Sequence, residues 1–126
     1  MILIFGGAYQ GKLEYALERF DLTGDDVYHC DEQSAAIPEG KKIIRGLDRW
    51  ILALVKSGQD VAGQMRRFAE LNPNAVVICN DISCGIVPVD EELRGWREAV
   101  GNALAILAKD ADEVIRLFCS IPTRIK

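Results

Sequence analysis

Ile2-Leu3-Ile4-Phe5 is an unbroken apolar run that stops at Gly6-Gly7, the pattern of a strand covered on both faces. The spacing then switches to three and four: over residues 12–20, Leu13, Ala16, Leu17 and Phe20 share one side, with Glu14, Glu18 and Arg19 opposite. That predicts an amphipathic helix, broken by Thr23-Gly24-Asp25. Residues 27–30 predict a short strand, residues 31–40 a polar loop punctuated by Pro38 and Gly40, and residues 42–45 a second small strand. Residues 47–56 and 61–71 predict amphipathic helices parted by Ser57-Gly58. After the turn Asn72-Pro73-Asn74, residues 75–79 are apolar throughout and predict another strand buried on both faces. Residues 80–89 read as a loop. Residues 90–108 predict a long helix, with Asp90, Glu91 and Glu92 placed against its N-terminal dipole, and residues 114–119 a last strand. Strands alternating with helices predict an α/β fold, a three-layer sandwich with a mostly parallel central sheet.

Composition narrows the picture. The 126 residues suit one domain, so residues 1–126 are expected to form a single unit. Hydrophobic residues make up 49% and charged residues 27%, enough for a packed core. A formal net charge of −4 with scattered basic residues argues against nucleic acid or an acidic membrane as partner. The longest apolar runs, residues 1–5 and 50–55, are far short of the roughly 20 residues of a membrane span. No basic segment precedes the first run, so no secretory signal and a cytoplasmic location are expected. Cys30, Cys79, Cys84 and Cys119 form no CxxC pair and His29 is the single histidine, a composition that argues against structural zinc and for inert thiols.

Candidate chemistry begins at the first strand-to-helix junction. Gly6-Gly7-Ala8-Tyr9-Gln10-Gly11-Lys12 fits G-x-x-x-x-G-K between a buried strand and an amphipathic helix, where a phosphate-binding loop must lie, so the sandwich is expected to be P-loop NTPase-like and residues 1–126 a single nucleotide-binding domain. Glycines let backbone N–H groups converge on phosphate oxygens, and the lysine ammonium reaches the terminal phosphates. The next position, which ligates Mg²⁺ through Ser or Thr in such loops, is Leu13; its spacing to Leu17 and Phe20 predicts that it packs against the sheet. Phosphate binding survives that change, whereas metal-assisted phosphoryl transfer loses a ligand, and no metal set is assigned. Asp31 and Asp81 both follow strands and can face the same sheet edge; each reads equally as a metal contact or as a solvated loop acid.

Asn80-Asp81-Ile82-Ser83-Cys84-Gly85-Ile86-Val87-Pro88 carries a more specific likeness. With the glycine loop, Ala111-Asp112-Glu113-Val114 and the final Ile125-Lys126, it resembles the bifunctional adenosylcobinamide kinase / adenosylcobinamide-phosphate guanylyltransferase family of cobalamin biosynthesis. The family's N-E-V-G-x-G-I-V-P loop is matched at Asn80, Gly85, Ile86, Val87 and Pro88, with Asp81 for the glutamate. The resemblance implies phosphoryl transfer from ATP or GTP to the hydroxyl of adenosylcobinamide, then GMP transfer through a covalent histidine, in a homo-oligomer.

Several departures bear on both steps. The P-loop hydroxyl is Leu13, the family's second acidic strand is not recognisable, and the segment that carries the guanylylated histidine is missing. His29 lies earlier, within a strand, and reads as a packed or hydrogen-bonded structural residue. Arg97 matches a family arginine, but the following G-R-x-N-Q positions are Gly101, Asn102, Ala103, Leu104 and Ala105, which read as a helix face packing on the sheet. The first expectation is a nucleotide-binding, cobinamide-kinase-like protein with Lys12 and Asp81 as catalytic candidates and Gly6, Gly7, Ala8, Tyr9, Gln10, Gly11, Lys12 and Leu13 as the nucleotide loop. A non-catalytic nucleotide or corrinoid binder, or an assembly subunit, is the alternative; a small kinase for another hydroxyl substrate is a third reading. Trp50 and Trp96 fit an oligomer interface or burial equally.

Overall fold

A computed structural model describes residues 1–34, 36–38, 40–82 and 89–126. Among these residues the order is β1 (Ile2–Gly6), α1 (Lys12–Phe20), a 3₁₀ turn (Gly24–Asp26), β2 (Val27–His29), β3 (Ile43–Arg45), α2 (Leu47–Lys56), α3 (Val61–Leu71), β4 (Val76–Asn80), α4 (Glu91–Asp110), β5 (Glu113–Phe118) and β6 (Ile121–Arg124). The strands form one sheet in the order β2-β3-β4-β1-β5-β6, parallel except for the antiparallel β5–β6 pair.

Alternation along the strands builds the layers. Leu3, Ile44, Val77 and Val114 face α2, α3 and α4, where Trp50, Leu54, Met65, Phe68, Val100 and Leu107 complete the larger core. Ile4, Ile43, Val76, Ile78 and Ile115 face the other way, onto Ala16 with Leu13, Leu17 and Phe20 of α1. The result is the expected three-layer α/β sandwich with a mostly parallel sheet. Every parallel strand ends at the same edge, and β1 lies between strands reached by crossovers in opposite directions. A crevice at the strand C-termini is the usual consequence of that reversal.

Element boundaries move by a residue or two from the expected ones, and one element is new. The chain does not stop at a strand over residues 114–119: Cys119 and Ser120 take positive φ (51° and 60°) and turn it back into β6. Two successive positive φ values give the tight hairpin turn that matches sheet twist. Neither residue is glycine, and Pro122 disfavours a strand, so nothing local announces the hairpin; as the edge strand, β6 tolerates the proline. The face expected of residues 101–105 is also narrower. Ala103 is buried and Leu104 partly so, while Gly101, Asn102 and Ala105 are exposed, because a helix touching the sheet along one stripe buries only every third or fourth residue.

Candidate functional site

β1 delivers the chain to a loop whose backbone depends on its glycines. Gly6 has φ +154°, and a Cβ there would lie 2.4 Å from the Leu117 carbonyl oxygen. Gly11, at φ +82°, forms the N-cap of α1, and a Cβ there would lie 2.6 Å from Ser120 Oγ. The loop is therefore pressed against the β5–β6 hairpin. Gln10 fastens it: the Ser120 N–H donates to the Gln10 carbonyl (3.1 Å) and the Cys119 N–H to Gln10 Oε1 (2.5 Å). Tyr9, at φ +59°, stands fully exposed at the tip.

Lys12 opens α1 and is 6% exposed. Its ammonium donates to the Gly7 carbonyl at 2.5 Å, so the loop's own backbone occupies it. Burial holds the lysine below its ordinary pKa, Asp48 pulls it back up, and Arg45 pushes it further down. Leu13 is half-buried and packs on the sheet face beneath α1, as its spacing predicts. A cleft of about 290 Å³ opens along the loop, lined also by Arg45, Arg49, Ile78 and Asn80, with Glu14 as its exposed carboxylate.

The acids expected at this edge divide. Asp81 follows β4, half-buried, and its N–H donates to the Gly6 carbonyl (2.8 Å), which ties the end of β4 to the start of the loop. Asp31 closes its own turn instead: Oδ1 accepts from the Gln33 N–H (2.8 Å) and the Ser34 hydroxyl (3.2 Å). The segment 83–88, with Cys84 and the Gly85 to Pro88 match, lies outside the described residues.

Sequence reasoning missed Asp48, Arg45 and Arg49. Asp48 is 1% exposed, its Oδ1 accepts the Asn80 N–H (3.1 Å), and its carbonyl accepts the Trp96 indole N–H (2.8 Å). The available signal was its helical spacing: Asp48 lies three and four residues before Ile51 and Leu52, both buried. Arg45 ends β3, and Arg49 sits in the first turn of α2 with its guanidinium on Glu32 (3.0 Å). Only pairing of β3 with β4 brings these arginines beside the loop. Trp50 is core, stacked at a tilt on Phe68.

The donor set does not suit the Mg²⁺ that a P-loop kinase employs. Leu13 offers no oxygen, the residue ending β3 is a cation, and Asp31 accepts within its own turn, which leaves Asp81, after the β4 that pairs with β1, as the one of the two expected acids beside the loop. No cluster of three metal-ligating side chains occurs among the described residues. Oxygen ligands and carboxylates are what that ion requires.

His29 is exposed, which corrects its expected role as a packed residue: it ends β2, an edge strand with no neighbour beyond it. β3 and β4 separate it from β1, about 14 Å at the usual strand spacing. Cys30 and Cys79 are buried and their thiols are held protonated by burial, Cys30 pushed up to about 12. Cys119 is exposed at the hairpin turn. No described helix is long and apolar enough to cross a membrane.

A family model described as cobinamide kinase / cobinamide phosphate guanyltransferase matches residues 41–125, about two thirds of the chain. The match takes in α2, β4, α4 and the hairpin, with Asp48, Asn80 and Asp81, and begins beyond the glycine loop. Comparison with curated proteins gives no significant match.

Proposed function

The chain belongs to the cobinamide kinase / cobinamide phosphate guanyltransferase family, and from that premise we propose that it is a nucleotide-binding member whose loop over residues 6–13 takes the phosphate chain of ATP or GTP. Gly7, Ala8, Tyr9, Gln10 and Gly11 supply the backbone of the cradle, Lys12 supplies charge, and Leu13 packs beneath it. The observation that carries the reading is Lys12: a buried ammonium, held at the mouth of a cleft against its desolvation cost, on a glycine loop at the start of a helix. A bound phosphate replaces the Gly7 carbonyl as its partner and gains the N-terminal dipole of α1.

The expected substrate class is a corrinoid hydroxyl, that of adenosylcobinamide, with Asp81 as the acid that orients it. Phosphoryl transfer in this member is weak or lost, because the position that should hold Mg²⁺ through a hydroxyl is Leu13. Guanylyl transfer is lost. A histidine nucleophile must come within about 3–3.5 Å of the attacked atom, and two strands, β3 and β4, stand between His29 and β1. Leu13 and Arg45 together favour the second reading, a non-catalytic nucleotide or corrinoid binder or an assembly subunit, over a kinase for another substrate.

The test is a titration with ATP and GTP followed by an assay for phosphorylated adenosylcobinamide. The reading expects micromolar-range nucleotide binding, about −8 kcal/mol, with little or no turnover. Absence of any nucleotide binding would overturn it.

A further inference from the structure

Arg45 and Arg49 flank the cleft without belonging to the glycine loop. Arg45 is exposed at the C-terminal end of β3, in register with Ile78 of β4 on one side and His29 of β2 on the other. Its carbonyl accepts the Cys30 N–H (2.8 Å), which fixes the backbone, whereas its guanidinium has no hydrogen-bond or ion-pair partner among the described residues. It lies near enough to Lys12 to disfavour that ammonium. Two like charges thus converge on one small space, with buried Asp48 behind them and Glu14 on the rim.

Arg49 brings a third cation. In the free protein it pairs with Glu32 (3.0 Å), which also takes Lys56 (3.2 Å). All three side chains are about half exposed, and such solvent-screened pairs are weak, so they yield readily to a better anion. Guanidinium forks match phosphate oxygens bidentately. The described residues enclose a cleft of about 290 Å³ beside the loop, room for a phosphate chain.

We propose that this cleft holds a phosphate chain by cations alone, with Lys12, Arg45 and Arg49 supplying the charge that a divalent metal brings elsewhere, so that the ligand binds as the metal-free anion. The proposal rests on the nucleotide reading and specifies its chemistry. A metal riding on the phosphates would meet the like charges of Lys12 and Arg45, so Mg²⁺ competes with the site for the ligand instead of completing it. Glu32 acts as the counter-ion that Arg49 leaves when the anion arrives.

The experiment is calorimetric titration of the full chain with GTP and with inorganic triphosphate, in EDTA and in excess Mg²⁺. Binding in EDTA should equal or exceed binding in Mg²⁺ for both probes. Arg45→Ala should weaken triphosphate binding about tenfold or more, the value of a hydrogen bond to a charged group, and Arg45→Gln, which keeps the bulk, should do nearly the same with an unchanged melting temperature. Glu32→Gln should tighten binding a few-fold by freeing Arg49. Binding that requires Mg²⁺ would overturn the proposal while leaving the nucleotide reading intact, as would Arg45 variants that bind triphosphate in EDTA like the parent. No binding of GTP in either condition would overturn both.

Discussion

A buried lysine that helps the fold and one retained for a ligand leave opposite signs on stability, and the proposed site makes Lys12 one of the second kind. Its native-state pKa lies below the ordinary 10.5, chiefly through burial, so the folded protein binds its proton less avidly than the unfolded chain does. Below the lowered value the buried charge opposes folding in full. As pH rises through that value toward 10.5 the native state sheds the proton first and the opposition fades. Lys12→Met should therefore match or exceed the parent's melting temperature at neutral pH, with the difference shrinking over that alkaline window. The same variant should lose about 1.5–3 kcal/mol of nucleotide affinity, the range for a charged hydrogen bond. A variant that melts lower yet binds as well would assign Lys12 to the scaffold. The glycine loop was legible because its constraints are local: glycines, a lysine, and a buried strand ahead of them. Arg45 and Asp48 were not, since one enters the site through pairing of β3 with β4 and the other through docking of α2 on the end of β4.

At the scale of elements, the site is held from an unexpected direction. The β5–β6 hairpin, which the local sequence does not announce, closes against the glycine loop through Gln10 and leaves no room for a side chain at Gly11. Gly11→Ala meets Ser120 Oγ and a positive φ together, and should destabilise the protein by about 1–3 kcal/mol, the usual cost of such backbone strain. Chemical denaturation measures it. Adding Ser120→Ala should return the part due to the clash and leave the part due to φ, whereas no recovery would place the strain in the loop alone. The remaining elements followed from the sequence because their periodicity was strong. Continuous apolar runs gave β1 and β4, spacings of three and four gave α1 to α4, and Asp90 caps α4 by accepting the Glu92 and Leu93 N–H groups (2.8 and 3.2 Å). Packing decides the rest: Gly101, Asn102 and Ala105 are exposed although they share a helix with Ala103.

For the whole molecule, strand order sets how far the single histidine lies from the glycine loop. His29 and the loop lie on the same sheet edge, but β3 and β4 stand between them. Incubation with α-labelled GTP, with or without Mg²⁺, should leave the denatured protein unlabelled. Acid-labile, base-stable label that disappears in His29→Asn would mean that the edge strand reaches the nucleotide after all. The family itself was legible from the sequence, through Asn80 and the residues after it as much as from the loop. The family match covers that part of the chain, whereas the glycine loop lies outside it and rests on its own chemistry.

That loop is the centre of the account, and amide chemical shifts read it residue by residue. Titration of ¹⁵N-labelled protein with GTP should move the amides of Gly7, Ala8, Tyr9, Gln10, Gly11 and Lys12 most, with Arg45 and Arg49 next, in saturable fashion and in EDTA. Shifts confined to other surfaces, such as the separate cleft that Trp50, Gln64, Arg67 and Phe68 line, or no shifts at millimolar GTP, about −4 kcal/mol of binding, would contradict it.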